Sequence, residues 1–193
     1  MKNVEPIRDY SKILAIKGKL KKQKNPRDFL LFVMGINTAL RISDLLKLKV
    51  GDVKDEQGNI KGFLYLREEK TKKDKKVVIN NGVREALEHY FNKTGAYDSE
   101  QYLFRSEKSK NNKPLTRIRA WQLVNRWCRE VGIKERIGTH TLRKTAGYQM
   151  RVRGGVALEI IQGILGHSSM KITSRYIGVS NDELEKVSKN FIL

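Results

Sequence analysis

Between Ala120 and Val131 apolar residues return every three or four positions: Ala120, Leu123, Val124, Trp127, Cys128 and Val131. Only an α-helix gathers that set on one face. Thr116 stands where its side chain can cap the first turn, and Gly132 follows the last. The same period governs most of the chain. Phe29, Leu30, Phe32, Val33 and Ile36 follow Pro26, a residue suited to a first helical turn, and read as a buried helix. Ser43 is placed to cap a second helix through Leu45, Leu46 and Leu48, and Asn81 a third with Val83, Ala86, Leu87 and Tyr90 on its inner face. Thr139 is placed to cap a helix from His140 to Arg153, stopped by Gly154-Gly155. Ala157 to Leu165 form a short helix ended by Gly166, and Ser168 or Ser169 starts the next, which carries Tyr176. Ser180 and Glu183 have capping-box spacing for a last helix with Leu184, Val187 and Phe191 on one side.

One stretch departs from this period. Phe63, Tyr65, Val77 and Ile79 alternate with other residues on either side of the turn Lys70–Lys75, the pattern of a small antiparallel sheet. Tyr102-Leu103-Phe104 is a further short strand by composition. The fold class is therefore mainly α with a small antiparallel β-sheet (α+β). At 193 residues the chain is one domain with short extensions: a basic N-terminal arm over 1–25, a main domain over 26–179 and a C-terminal helix or tail over 180–193.

Charge narrows the partners. Forty Lys and Arg against 21 Asp and Glu give a net charge of +19. The excess clusters at Lys17–Lys24, Lys70–Lys76, Lys108–Lys113 and Arg143–Arg153. A polyanion, nucleic acid first of all, is the natural partner. The lysines fall mostly in turns and not along one amphipathic face, which argues against a membrane-surface helix, and no apolar run approaches the length of a membrane span. The single cysteine, Cys128, excludes an internal disulfide and fits a reducing, cytoplasmic setting.

A few residues carry chemistry. Arg41 sits at the junction of two apolar helices, where a guanidinium needs an anionic partner; Asp44, three residues on, is the candidate. His140 and Arg143 are three apart just inside a helix start and share a face. His167 follows a glycine in a break between helices, which exposes its ring. Tyr176 has an ordinary phenol pKa near 10 and needs neighbouring cations to become a nucleophile. Two guanidinium forks can neutralise a phosphate, imidazoles can move protons, and a phenol can attack phosphorus. Three scattered histidines and one cysteine are too few for a zinc-type metal site.

In this order the residues resemble the catalytic domain of the tyrosine recombinases, the phage-integrase family. Thr38-Ala39-Leu40-Arg41-Ile42-Ser43-Asp44-Leu45 is similar to the family's first arginine box. Lys70, at the head of its turn before Val77-Val78-Ile79, matches the β-hairpin lysine. Thr139-His140-Thr141-Leu142-Arg143-Lys144-Thr145 resembles the His-x-x-Arg box, Leu165-Gly166-His167 the following histidine box, and Tyr176, nine residues later, the nucleophile.

The resemblance implies the fold of DNA breaking–rejoining enzymes and a site-specific DNA strand transfer through a 3′-phosphotyrosyl intermediate, with no metal, ATP or other cofactor. Arg41 and Arg143 would clamp the phosphate, His140 and His167 would assist proton transfer, Lys70 would protonate the leaving oxygen, and Asp44 would fix Arg41 or His140. Lys72, Lys73, Lys75 and Lys144 would contact DNA. The implied assembly is a homo-oligomer, a tetramer, on DNA, with accessory DNA-bending proteins and a C-terminal segment exchanged between protomers. The setting is the nucleoid. Only about 40 residues precede Arg41, where family members carry a separate core-binding domain of ordinary domain size; the chain reads as an excised catalytic fragment or a minimal single-domain member. Two other readings use the same residues: a type IB topoisomerase-like enzyme, and a DNA-binding regulator with the recombinase fold.

Overall fold

Helix α2 (Pro26–Thr38) is the axis of the molecule. In the computed structural model, which describes residues 4–106 and 112–178, Leu30, Leu31, Phe32, Val33 and Met34 of this helix have no solvent exposure. A helix apolar on every side must be wrapped by others. Helices α1 (Tyr10–Lys21), α5 (Asn81–Thr94) and α7 (Thr139–Val152) pack around it. The Asn25 side chain accepts from the Arg27 N–H and Pro26 occupies the first turn, so the sequence sets where α2 starts. It ends at Ala39, whose φ of 53° lies in the left-handed region. For a residue with a Cβ that conformation costs about 1–2 kcal/mol, and it needs a compensating contact.

The sharp end at Ala39 leaves Arg41 as the N-cap residue of the short helix α3 (Ile42–Leu46). Ser43 therefore lies inside the helix, and no side chain caps it. Helix α4 (Val50–Val53) leads to the hairpin of β1 (Phe63–Arg67) and β2 (Asp74–Val78), paired antiparallel with Leu64 opposite Val77 and Tyr65 opposite Lys76. The register turns Leu64 and Val77 inward. Phe63 and Tyr65 face out, and the Lys76 ammonium sits 3.9 Å from the Phe63 ring centre. Tyr102 makes one isolated bridge with Lys49 and no strand.

Helix α6 (Arg117–Glu130) starts at Thr116, whose side chain accepts from the Arg119 N–H, and buries Leu123, Val124, Trp127 and Cys128 as its period requires. Burial pushes the Cys128 thiol up to about 12, leaving it an inert apolar side chain. Two caps lie one residue before their expected positions: Asn80 caps α5, and Gly138 precedes α7, its N–H donating to Thr141 Oγ1 at 3.1 Å. Helix α8 (Leu158–Leu165) ends at Gly166, with φ 61°, and α9 (Met170–Ile177) starts at Ser169.

The expected N-terminal arm belongs to the packed body. Ile13, Ile16 and Leu20 of α1, together with Ile7, are buried in the main core; their spacing of three and four makes one apolar stripe among the lysines. A second, smaller cluster joins Ala39, Ala146, Tyr148, Ile161, Leu165 and Ile177 beneath α8 and α9. The helix expected from Ser180 lies outside the described residues.

Candidate active site

Arg41 reaches the site because the backbone turns sharply just before it. Its Nη1 lies 2.6 Å from Glu68 Oε1. Glu68 follows β1 directly and is 5% exposed. Its other oxygen accepts from the Thr71 hydroxyl at 2.6 Å, and Lys75 Nζ stands 3.7 Å from Oε1. Burial alone would push the Glu68 carboxyl up; contacts from Arg41 and Thr71 and the charges of Arg41 and Lys75 outweigh it and hold the group down at about 2. Lys75 also donates to the Ile164 carbonyl at 2.6 Å, in the last turn of α8.

On α7, Arg143 is buried to 2% exposure. One guanidinium nitrogen donates to the Ala39 carbonyl at 2.7 Å and another to the Leu165 carbonyl. The first bond secures the left-handed residue that aims Arg41, and the second fixes the end of α8 ahead of His167. One side chain thus ties both flanking breaks to the central helix. His140, one turn earlier, lies at the exposed rim, its Nδ1 3.2 Å from the Tyr176 hydroxyl. Partial burial, with the charges of Arg143, Arg117, Arg41 and Lys144, holds its imidazole below the usual histidine range.

Gly166 breaks the chain between α8 and α9 and presents His167, whose Nδ1 is 3.1 Å from Thr173 Oγ1. Its ring meets that of Tyr176 edge-on at 4.8 Å between centres. Burial first, then the charges of Arg143, Arg41 and Lys75, bring its pKa down to about 4. Tyr176 lies on α9. Burial raises its phenol pKa; Arg143, by charge and a hydrogen bond, and Arg41, by charge, pull the other way without reversing it. Without DNA the phenol keeps its proton. The cationic field expected to ionise it does not win against burial.

Arg41, His140, Arg143, His167 and Tyr176 therefore converge, drawn from the α2–α3 junction, α7 and the α8–α9 region. Lys70, Lys72 and Lys73 stay exposed in the hairpin turn. Three assignments change. Lys144 is buried, with its ammonium 5.1 Å from the Tyr176 ring centre, and burial lowers its pKa while Glu5 raises it. It lies against the Tyr176 ring and not on the open surface where it was expected. Asp44 does not hold Arg41; its Oδ1 accepts from the Glu69 N–H at 3.0 Å and anchors the hairpin turn. Glu68 is the partner of Arg41 and was missed. A carboxylate beside a lysine-rich turn reads as solvated, and its one distinguishing mark is its place at the end of a strand. Lys75, expected on the DNA-facing surface, lies in the cluster because its β2 register turns it inward. Among the described residues no group of three or more His, Cys, Asp or Glu is placed to hold a metal ion, and no helix is long and apolar enough to cross a membrane.

The fold is shared with proteins of known structure. The solved structure of XerA recombinase superposes over 100% of this chain with a TM-score of 0.76 at 22% identity, covering 68% of that chain. XerH recombinase in a post-cleavage complex with its palindromic difH substrate gives a TM-score of 0.75 at 20% identity, over 98% of this chain and 54% of that one. In sequence, the probable integrase/recombinase YoeC of Bacillus subtilis is 42% identical over 188 residues, 97% of each chain. Tyrosine recombinase XerA of Pyrococcus furiosus is 32% identical over 160 residues, 83% of this chain and 53% of that protein. The chain thus spans nearly all of one relative and about half of the other. The model of the phage integrase family matches residues 7–183. With its helical fold and the order of its arginine, histidine and tyrosine boxes, the chain belongs to the phage integrase family of tyrosine recombinases.

Proposed function

We propose that this protein cleaves and rejoins double-stranded DNA site-specifically through a covalent bond to Tyr176. The observation that carries the reading is the setting of the Tyr176 hydroxyl, with a proton acceptor, His140 Nδ1, on one side and the Arg143 guanidinium on the other. The phenol oxygen attacks the scissile phosphorus and its proton passes to His140. The bond from oxygen to phosphorus forms as the bond from phosphorus to the 5′-oxygen breaks, leaving a 3′-phosphotyrosyl link and a 5′-hydroxyl. Arg41 and Arg143 neutralise the non-bridging oxygens, where charge grows; losing one such donor costs about 100- to 1000-fold in rate. The link conserves the energy of the broken bond, so attack by a 5′-hydroxyl of a partner strand reverses the step without ATP or a metal ion.

The leaving oxygen takes its proton from the hairpin. Lys70 holds the position that matches the family and is exposed in the turn; Lys75 is already committed to Glu68 and Ile164. Strand exchange between two duplexes requires four active sites, hence a tetramer on DNA; accessory DNA-bending proteins and nucleoid association belong to the same reading. The test is a nicked suicide duplex built from the DNA flanking the gene. Wild type should give a covalent adduct mapping to Tyr176, and Tyr176→Phe should bind the duplex without it. An adduct at another residue, or none, refutes the assignment. Relaxation of supercoiled DNA without strand exchange would move the reading to a topoisomerase-like enzyme.

A further inference from the structure

Glu68 is an anion buried where the substrate's own anion is to be bound, and nothing in the scheme above uses it. Its backbone is held on both sides, the N–H donating to the Lys73 carbonyl and the carbonyl accepting from the Lys72 N–H, each at 2.9 Å. The next N–H is held by Asp44 Oδ1. Its side chain has little freedom, with one oxygen on the Thr71 hydroxyl and the other between Arg41 and Lys75. Through Lys75 the chain of contacts continues to the Ile164 carbonyl, two residues before Gly166 and the His167 break. Glu68 is thus the shared contact of the first arginine, the lysine hairpin and the end of α8.

We infer that Glu68 is a positioning residue for strand cleavage: it fixes Arg41 and Lys75 against each other before DNA arrives, so that the hairpin and the His167 break meet the phosphate as one preset unit. The inference rests on the phosphotyrosyl reading above. Arg41, Lys75 and Arg143 are like charges crowded into a poorly solvated space, and repulsion spreads them unless an anion stands among them. Glu68 spends one nitrogen of the Arg41 fork and leaves the others for phosphate. The groups facing Lys75 are Glu68 on the hairpin, Arg41 and Asp44 at the start of α3, Arg143 on α7 and His167 after α8. Burial first, then Arg143 and Arg41, oppose its charged form, while Glu68 and Asp44 favour it.

Glu68→Gln keeps the shape and removes the charge. Two readouts decide the matter: the rate of adduct formation on the nicked duplex, and the titration of the Lys75 side chain followed by carbon-13 NMR in the DNA-free protein. The variant should form the adduct about 10- to 100-fold more slowly, the range expected for small misplacements of reacting groups. It should bind the duplex no more weakly than wild type, and its Lys75 midpoint should move to lower pH. Glu68→Asp, which restores the charge on a shorter stem, should return the midpoint toward wild type and recover part of the rate. A folded Glu68→Gln protein with a rate within twofold of wild type, or with an unmoved Lys75 midpoint, overturns the inference. If wild type itself gives no adduct, the phosphotyrosyl reading fails, and with it the claim that Glu68 prepares cleavage; a shifted Lys75 midpoint would then report only a structural ion pair.

Discussion

His140 Nδ1 and the Tyr176 hydroxyl stand 3.2 Å apart, although 36 residues separate them in sequence. With its proton on Nε2 the imidazole accepts the phenol's hydrogen bond, which makes His140 the first acceptor when the oxygen attacks. Its pKa is held below the ordinary 6.5, so the ring stays neutral at neutral pH and for some distance into acid. The rate of adduct formation should stay level from pH 8 down through 6.5 and fall only at lower pH, as the imidazole charges. An acid limb already centred at or above 6.5 contradicts this. His140→Ala should slow the step about 100-fold, within the usual range for a general base.

Arg143 joins chemistry to architecture. Arg143→Ala removes a charge-assisted donor from the Ala39 and Leu165 carbonyls, and each such bond is worth about 1.5–3 kcal/mol. Urea unfolding of the DNA-free protein should show a loss of about 3–6 kcal/mol. Arg41→Ala, whose side chain ends on Glu68, should cost less stability but slow cleavage by a similar factor. Equal unfolding midpoints for the two variants would show that Arg143 does not brace the breaks.

The identity of the acid can be separated from the identity of the brace. A duplex with sulfur in place of the bridging 5′-oxygen has a leaving group that needs no proton. Lys70→Ala should be strongly impaired on ordinary DNA and restored to near wild type on the sulfur substrate. Lys75→Ala should be impaired on both, because its loss releases the end of α8. Rescue of Lys75→Ala alone would exchange the two roles.

Acid should weaken the molecule through Glu68. Its folded pKa of about 2 lies below the ordinary 4.5. The stabilisation is therefore fully present above pH 4.5 and disappears as pH falls toward 2. The difference in unfolding free energy between wild type and Glu68→Gln should be on the order of 3 kcal/mol at pH 7 and should close below pH 4.5. A difference independent of pH would mean that packing, and not charge, sets the cost of that substitution.

Gly147 marks a close approach of α7 to α8 and α9. A Cβ there would lie 2.7 Å from Ile177 Cγ2 and 3.3 Å from Leu165 Cδ1. Gly147→Ala should cost about 1–3 kcal/mol by overpacking and push α9 outward. Adduct formation should suffer more than DNA affinity, as a gel-shift assay run beside the cleavage assay would show.

The helices could be read from the chain because their apolar residues keep one period, and the converging groups because their order is distinctive. The details that escaped share a cause: they depend on how one element meets another. Ser43 loses its cap because α2 ends in a left-handed alanine, which the distant Arg143 secures. Lys144 looks like surface because its neighbours in sequence are polar, yet residues 141–148 of α7 are buried on all sides. Glu68 gains its partner only when the hairpin folds against α3. Phe63 and Tyr65 signal a strand correctly but not which side of it is dry, since the pairing of Leu64 with Val77 decides that.

The small apolar cluster under α8 and α9 shares none of its buried members with the main core. The helix that carries the nucleophile is therefore held to α7 by a cluster of its own, through Ala146 and Tyr148. Amide hydrogens of α9 should exchange with solvent sooner than those of α2, whose side chains fill the larger core.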